Sequence, residues 1–241
     1  MTEESPAQYT GPKKKRYVRS MFDSIAHRYD FLNPLLSGGI DWYWRKRTVD
    51  LLHPQSFERV LDVATGTGDM AFTILNNTDS EVYGLDFALK MLSLNKEKAQ
   101  DKGVTDYQLL CGDAEQLPVR SETFDLITIA YGIRNMGTME QTLEELYRIL
   151  KPNGRVGILE FSQPKNALFK RLYYFYFRNI MPAIGYLFSG NRDAYNYLQE
   201  SVSKFPSRVD FSRAMEAIGF KSVHNYTMTM GICTLYIGFK N

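Results

Sequence analysis

Val60-Leu61-Asp62-Val63-Ala64-Thr65-Gly66-Thr67-Gly68-Asp69 reads as an apolar strand that runs into a glycine turn and opens a helix. Glycines there let backbone approach a ligand closely, and the N–H groups of the helix start point at it. The same letters satisfy GxGxxA through Gly66, Gly68 and Ala71, so a dinucleotide site must be weighed. Asp62 weighs against it, because a carboxylate at the strand end repels a pyrophosphate and suits a cation.

Outward from that turn, short apolar runs alternate with amphipathic segments of about 10 to 15 residues, the pattern of a parallel sheet covered by helices. Strands are expected at 59–64, 81–86, 107–111, 124–130 and 155–161, with helices at 70–76, 89–102 and 139–150. A helix over 209–218 stops at Gly219 and is followed by strands at 221–227 and 232–239. The gap between those two is too short for a crossover helix, so they should pair antiparallel. Upstream, residues 17–53 show helical spacing, broken at Asn33-Pro34 and Gly38-Gly39. Residues 1–16, polar and ending in Lys13-Lys14-Lys15-Arg16, read as a mobile tail. The basic run could otherwise steer the chain to anionic lipid.

Composition sets bounds. The 241 residues carry 29 basic and 27 acidic groups, a net charge of +2, and are 44% hydrophobic. That is a globular chain of one domain, 17–241, without the charge for a wide nucleic-acid interface. Cys111 and Cys233 stand without a CxxC or a nearby His, so neither a disulfide framework nor a metal site is expected. No secretory signal and no uncharged run of about 18 to 20 apolar residues is read, which points to the cytoplasm.

Two further acids join Asp62. Asp86 ends the second strand where a carboxylate can accept both hydroxyls of a ribose, and Asp113 follows the third where it can accept from an adenine amino group. Capping explains any one of them; three at successive strand ends suit S-adenosylmethionine, whose methionine end is cationic. The set resembles the class I S-adenosylmethionine-dependent methyltransferases over about residues 58–161. The resemblance implies a Rossmann-like seven-stranded α/β sheet, mostly parallel, with an antiparallel C-terminal hairpin, helices on both faces and an N-terminal helical cap.

The fourth strand leads into Tyr131-Gly132-Ile133-Arg134-Asn135. The (N/D/S)PP(Y/F) clamp of amine methyltransferases is missing, whereas an aromatic, an Arg and an Asn can line a flat ring and hold a phenolic oxygen. Other stretches carry a closer likeness: Tyr29-Asp30-Phe31-Leu32-Asn33 with Ser37 and Trp44-Arg45; Arg148-Ile149-Leu150-Lys151-Pro152-Asn153-Gly154; Glu160-Phe161-Ser162-Gln163-Pro164; and Tyr197-Leu198-Gln199-Glu200-Ser201. Together they resemble the demethylmenaquinone and ubiquinone C-methyltransferase family across nearly everything after residue 16.

That resemblance implies cofactor contacts at Thr67, Asp86, Asp113 and Ala114, beside Asp62, Gly66 and Gly68 of the turn. It implies no metal, and C-methylation of a prenylated quinol drawn from the membrane, demethylmenaquinol before a benzoquinol or another phenol. Arg134 and Asn135 are expected to hold the quinol hydroxyl, with Arg134 stabilising the phenolate rather than acting as base. His27 is a candidate base by its near-neutral pKa, but a surface or core histidine is the favoured reading of that position. Tyr29, Asp30 and Asn33 either form a lid over the cofactor or cap a helix. The chain departs from the family at Ala130, where a Ser is common, at Asn153 in a glycine turn, and at Tyr236 in place of a His. A non-catalytic cofactor-binding module is disfavoured by the intact 131–135 loop, and oligomeric state is left open.

Of the 33 aromatic residues (16 Tyr, 15 Phe, 2 Trp), 8 fall within the 20 positions 169–188. The segment 162–204 is therefore expected to be an irregular insertion on the acceptor side. Its aromatics either meet a membrane interface and prenyl tail or pack a cap over the sheet.

Overall fold

A computed structural model describes residues 5–54, 58–164, 166, 170–171, 175–176 and 192–241. Its centre is a seven-stranded sheet with spatial order β3-β2-β1-β4-β5-β7-β6. The strands are β1 (Arg59–Val63), β2 (Glu81–Asp86), β3 (Tyr107–Cys111), β4 (Phe124–Ala130), β5 (Leu150–Phe161), β6 (Lys221–Met228) and β7 (Cys233–Phe239). β7 slots antiparallel between β5 and β6 while the rest run parallel.

Apolar alternation divides the sheet between two helical layers. Leu61, Val63, Ile127, Ile129 and Ile158 face α5 (Met139–Ile149) and α7 (Arg208–Ile218), packing on Leu143, Leu146, Phe211 and Met215. Val60, Leu126, Leu159 and Leu235 face α2 (Asp41–Leu52) and α3 (Asp69–Leu75), packing on Trp44, Val49, Met70 and Ile74. Chain order reverses where β1 lies between β2 and β4, and the crevice beyond such a switch point is where open α/β sheets bind ligands.

Three expectations are corrected. Residues 11–16 are not a mobile tail but the start of α1 (Gly11–Ser37), which packs on α4 (Leu89–Asp101). The helix also runs through Pro34 and ends only where Gly38, at φ 64°, donates its N–H back to the Pro34 carbonyl; proline removes one N–H without abolishing the remaining turns. And 162–204 is not irregular throughout, since α6 spans Arg192–Lys204. Most of the aromatic stretch, including Phe169, Tyr173, Tyr174, Phe177, Tyr186 and Phe188, lies outside the described residues; Phe175 is exposed. The Asn153 departure is accommodated: Asn153 sits at φ 65°, a left-handed conformation that Asn tolerates.

Candidate active site

At the carboxyl ends of β1, β2, β3 and β4 a cleft of about 690 Å³ is lined by Ala64, Gly66, Asp86, Asp113, Ala114, Gly132 and Asn135, with Lys15, Val18, Phe22 and Tyr29 of α1 as one wall. Its floor is strained. Ala64 and Tyr131 end β1 and β4 at φ 54° and 58°, and a Cβ at Gly132 would stand 2.7 Å from that of Ala64. Left-handed backbone at a non-glycine residue persists only where its surroundings enforce it.

Asp86 is buried at the end of β2, where Oδ2 accepts from the Gly66 N–H at 2.8 Å and Oδ1 from Ala88 N–H at 2.9 Å. Burial raises its pKa, against the pull of those backbone donors. A carboxylate offers about four lone-pair positions, so it ties down the glycine turn and still has acceptor capacity facing the cleft. Asp113 Oδ1 takes the Glu115 N–H at 2.9 Å, and Oδ2 takes Lys15 Nζ at 2.6 Å. The cleft thus provides a glycine backbone, a two-acceptor carboxylate and a second acid 27 positions on, donors and acceptors that fit a nucleoside bearing a cationic tail.

The glycine turn is fixed from behind. Asn95 of α4 donates to the Gly66 carbonyl at 3.1 Å and to Tyr107 Oη at 3.0 Å. Gly68, at φ 92°, leaves no room for a Cβ, which would lie 2.6 Å from Asn95 Oδ1. Thr67 does not line the cleft; its hydroxyl donates to Asp30 of α1, and Asp30 also pairs with Lys98. Asp30 therefore joins α1 to the cofactor turn and Tyr29 lines the cleft beside it, while the side chain of Asn33 is outside the described residues. Nothing in the letters marks Asn95 or Tyr107 as members of the site, because their partners lie 29 and 42 positions away.

Asp62 is the clearest correction. It lies inside β1, not along the cleft, fully enclosed and accepting from the hydroxyls of Thr65 and Thr128 at 2.7 Å each. Its place is to brace β1, β4 and the turn. Desolvation pushes its carboxyl up to about 7 from 3.8. The proton is held more tightly in the folded state, so its stabilising effect is complete below about pH 4 and disappears as pH rises through about 7. Wild-type unfolding free energy should fall on the order of 2 kcal/mol between pH 5 and 8 through this group, and Asp62→Asn should flatten that slope in urea titrations. Parallel slopes in the two proteins would show that another group is responsible.

The basic run closes the opposite side. Lys15 bridges Asp113 and Glu115 at 2.6 and 2.9 Å, Lys14 donates to the Arg134 carbonyl at 2.8 Å, and Gly11 N–H donates to the Gly137 carbonyl at 3.0 Å. Lys15→Ala should weaken cofactor binding about threefold to tenfold with saturated turnover retained, as partly exposed ion pairs contribute about 0.2–1 kcal/mol each; calorimetric titration measures it.

Arg134 is set back from the lining of this cleft, next in sequence to the cleft-lining Asn135; its side chain is 7% exposed and ion-paired at 2.6 Å with Glu160, which is wholly buried. Its Nη1 donates to the Tyr131 carbonyl as well, and its Nε has no partner among the described residues. Asn135, which does line the cleft, donates to the Tyr131 carbonyl at 3.3 Å, and its buried Oδ1 has no donor among the described residues. Beside them Tyr131 and Phe161 stack at 4.7 Å, with Trp44 set edge-on to both and anchored by its indole N–H on Thr229 at 2.8 Å. His27, His53 and His224 are all exposed and none lines the cleft, which agrees with a surface role for His27. Tyr236 is buried against Phe211.

Sheet order, switch-point cleft and acids define a class I S-adenosylmethionine-dependent methyltransferase. A methyltransferase from Aquifex aeolicus described as SAM dependent has the same fold, with a TM-score of 0.61 at 18% identity over 82% of this chain and 89% of that one. Phosphoethanolamine N-methyltransferase 2 of Haemonchus contortus gives 0.69 at 14% identity over 92% of this chain and 60% of that one. More particularly, the chain belongs to the ubiE/COQ5 methyltransferase family, whose profile matches residues 10–240. It is 46% identical over 231 residues to the ubiquinone/menaquinone biosynthesis C-methyltransferase UbiE of Geotalea daltonii, covering 95% of this chain and 98% of that one. It is 44% identical to the demethylmenaquinone methyltransferase of Thermus thermophilus, covering 90% and 99%. It is 37% identical to a mitochondrial 2-methoxy-6-polyprenyl-1,4-benzoquinol methylase of Dictyostelium discoideum, covering 94% and 82%. The chain is thus a methyltransferase with S-adenosylmethionine as methyl donor.

Proposed function

We propose that this enzyme methylates a ring carbon of a prenylated quinol, demethylmenaquinol to menaquinol. The observation that carries the reading is a pair of buried atoms on successive residues, Arg134 Nε and Asn135 Oδ1, that have no partner among the described residues. One is a donor and the other an acceptor, the complement of a phenolic hydroxyl, which is both at once. Buried polar groups without partners cost about 1–3 kcal/mol each, which a ligand oxygen relieves. The Tyr131 and Phe161 stack gives a flat apolar wall of the kind an aromatic ring packs against. A naphthoquinol is preferred because the Thermus demethylmenaquinone methyltransferase shares 44% identity with this chain, against 37% for the benzoquinol methylase.

Bound in the cleft, S-adenosylmethionine supplies an electrophilic methyl on a sulfonium. Asp86 would receive its ribose hydroxyls, Asp113 and the Ala114 backbone its adenine, and the Gly66 to Gly68 turn its amino-acid end. Arg134 favours the ionised hydroxyl, and that ionisation makes the neighbouring ring carbon nucleophilic. Asn135 accepts from the hydroxyl while it is neutral and thereby orients it. With Arg134 permanently charged, the hydroxyl proton leaves through water, and the ring proton on the newly methylated carbon follows it to water to restore the aromatic ring. Alignment of carbon and methyl accounts for much of the acceleration.

The prenyl tail makes the acceptor a membrane resident, so the enzyme works as a peripheral protein at the inner face. Among the described residues no helix is long and apolar enough to cross a membrane. Incubation with methyl-labelled cofactor and a membrane lipid extract should put label in the quinone band on thin-layer plates; label confined to water-soluble phenols would overturn the reading. The demethylated quinone that accumulates when the protein is removed identifies the ring.

A further inference from the structure

Glu160 is the group at the site that the acceptor chemistry leaves without a task. It is wholly enclosed at the end of β5; its Oε1 accepts from Arg134 Nη1 at 2.6 Å and from the Phe161 N–H at 2.8 Å, and its Oε2 from the Arg134 N–H at 3.4 Å. Nη1 is held a second time by the Tyr131 carbonyl, and the guanidinium carbon stands 5.4 Å from the centre of the Phe161 ring. With one nitrogen fixed by two acceptors, the rigid plane of the guanidinium has little freedom left. Nε stays buried without a partner among the described residues. A buried pair of this kind is a poor way to stabilise a fold, since well-packed apolar residues usually do as well or better.

We propose that Glu160 is the positioning residue of the acceptor arginine: it selects the Nε edge of Arg134 for the quinol oxygen and partly neutralises the guanidinium there. The inference rests on the assignment of Arg134 to the acceptor hydroxyl. The other ionisable groups around the pair are Lys14 on α1, Tyr131 after β4, Tyr197 on α6, Arg208 on α7, and Cys233 and Tyr236 on β7. Burial holds the three tyrosines and the thiol above their ordinary values, so none of those four loses a proton near neutrality.

Glu160→Gln keeps an acceptor for Nη1 and removes the negative charge. Turnover at neutral pH should fall at least about tenfold with cofactor affinity unchanged, because a phenolate held by an unneutralised guanidinium is a weaker carbon nucleophile. The acidic limb of the kcat profile should move to lower pH, because an unneutralised guanidinium makes the quinol hydroxyl more acidic. A merely structural role predicts an unmoved limb, and either that or wild-type turnover overturns the proposal. If Glu160→Gln does not fold, Glu160→Asp decides: it keeps the charge but draws it back by one methylene, so turnover should fall with the limb at its wild-type position, and wild-type turnover overturns the proposal. Arg134→Ala, assayed alongside, separates the two levels: full activity in that variant removes the acceptor assignment itself, whereas a large loss there with none at Glu160 removes only the role of Glu160.

Discussion

Arg134→Ala should lower turnover by about 10²–10³-fold, the range for removing one preorganised donor from a developing oxyanion, while cofactor affinity measured by calorimetry stays within about twofold. Two effects stand behind this. The donor that favours the ionised hydroxyl is gone, and Glu160 is left wholly buried without its counter-charge. Burial already raises the Glu160 pKa, with Arg134 the chief opposing influence. Without the arginine the carboxyl takes up a proton instead of staying charged. The variant should therefore fold, with a lower melting temperature, since breaking a buried pair costs about 3–5 kcal/mol when charge remains and less once it is neutralised. Arg134→Lys should recover little, because a flexible ammonium cannot present a fixed N–H edge while holding Glu160. Undiminished turnover in Arg134→Ala would remove Arg134 from the acceptor site.

Asp86→Ala should show the opposite profile. Cofactor affinity should drop about 10²-fold or more, the equivalent of two charge-assisted hydrogen bonds to a ribose at about 1.5 kcal/mol each. Turnover at saturation should change far less. The same carboxylate holds the Gly66 N–H, so Asp86→Asn, which keeps one acceptor, should lie between the two. Because burial raises the Asp86 pKa, wild-type affinity should decline on acidification at a pH above the ordinary carboxylate range, and this decline should vanish in Asp86→Ala. Affinity that survives the substitution would remove Asp86 from the cofactor site.

The sheet was legible because its signals are local. Short apolar runs bounded by turns placed 81–86, 107–111 and 124–130 at the residues where β2, β3 and β4 are found. Asp86 and Asp113 were legible for the same reason: each follows a strand, and the carboxyl ends of parallel strands open on one crevice. Asp62 misled because a strand alternates faces. One or two positions decide whether a side chain meets ligand or packs behind the sheet, and the position that lines the cleft on β1's end is Ala64. The basic run misled for a different reason. Residues 13–16 look solvated until Asp113 and Glu115, about a hundred positions later, are brought beside Lys15. The Glu160 partnership was hidden likewise, since the motif that contains it gives no sign of Arg134 26 positions upstream.

The first turns of α1 hold both halves of the site at once, with Lys15 on the adenine-side acid and Gly11 and Lys14 on the acceptor loop. If spent nucleoside leaves by this wall, the same fastenings that yield to it are those that steady the loop carrying Arg134 and Asn135. Because partly exposed ion pairs among these fastenings are screened by salt, the exchange step should quicken as ionic strength rises, a kinetic signature that a rigid open cleft would lack.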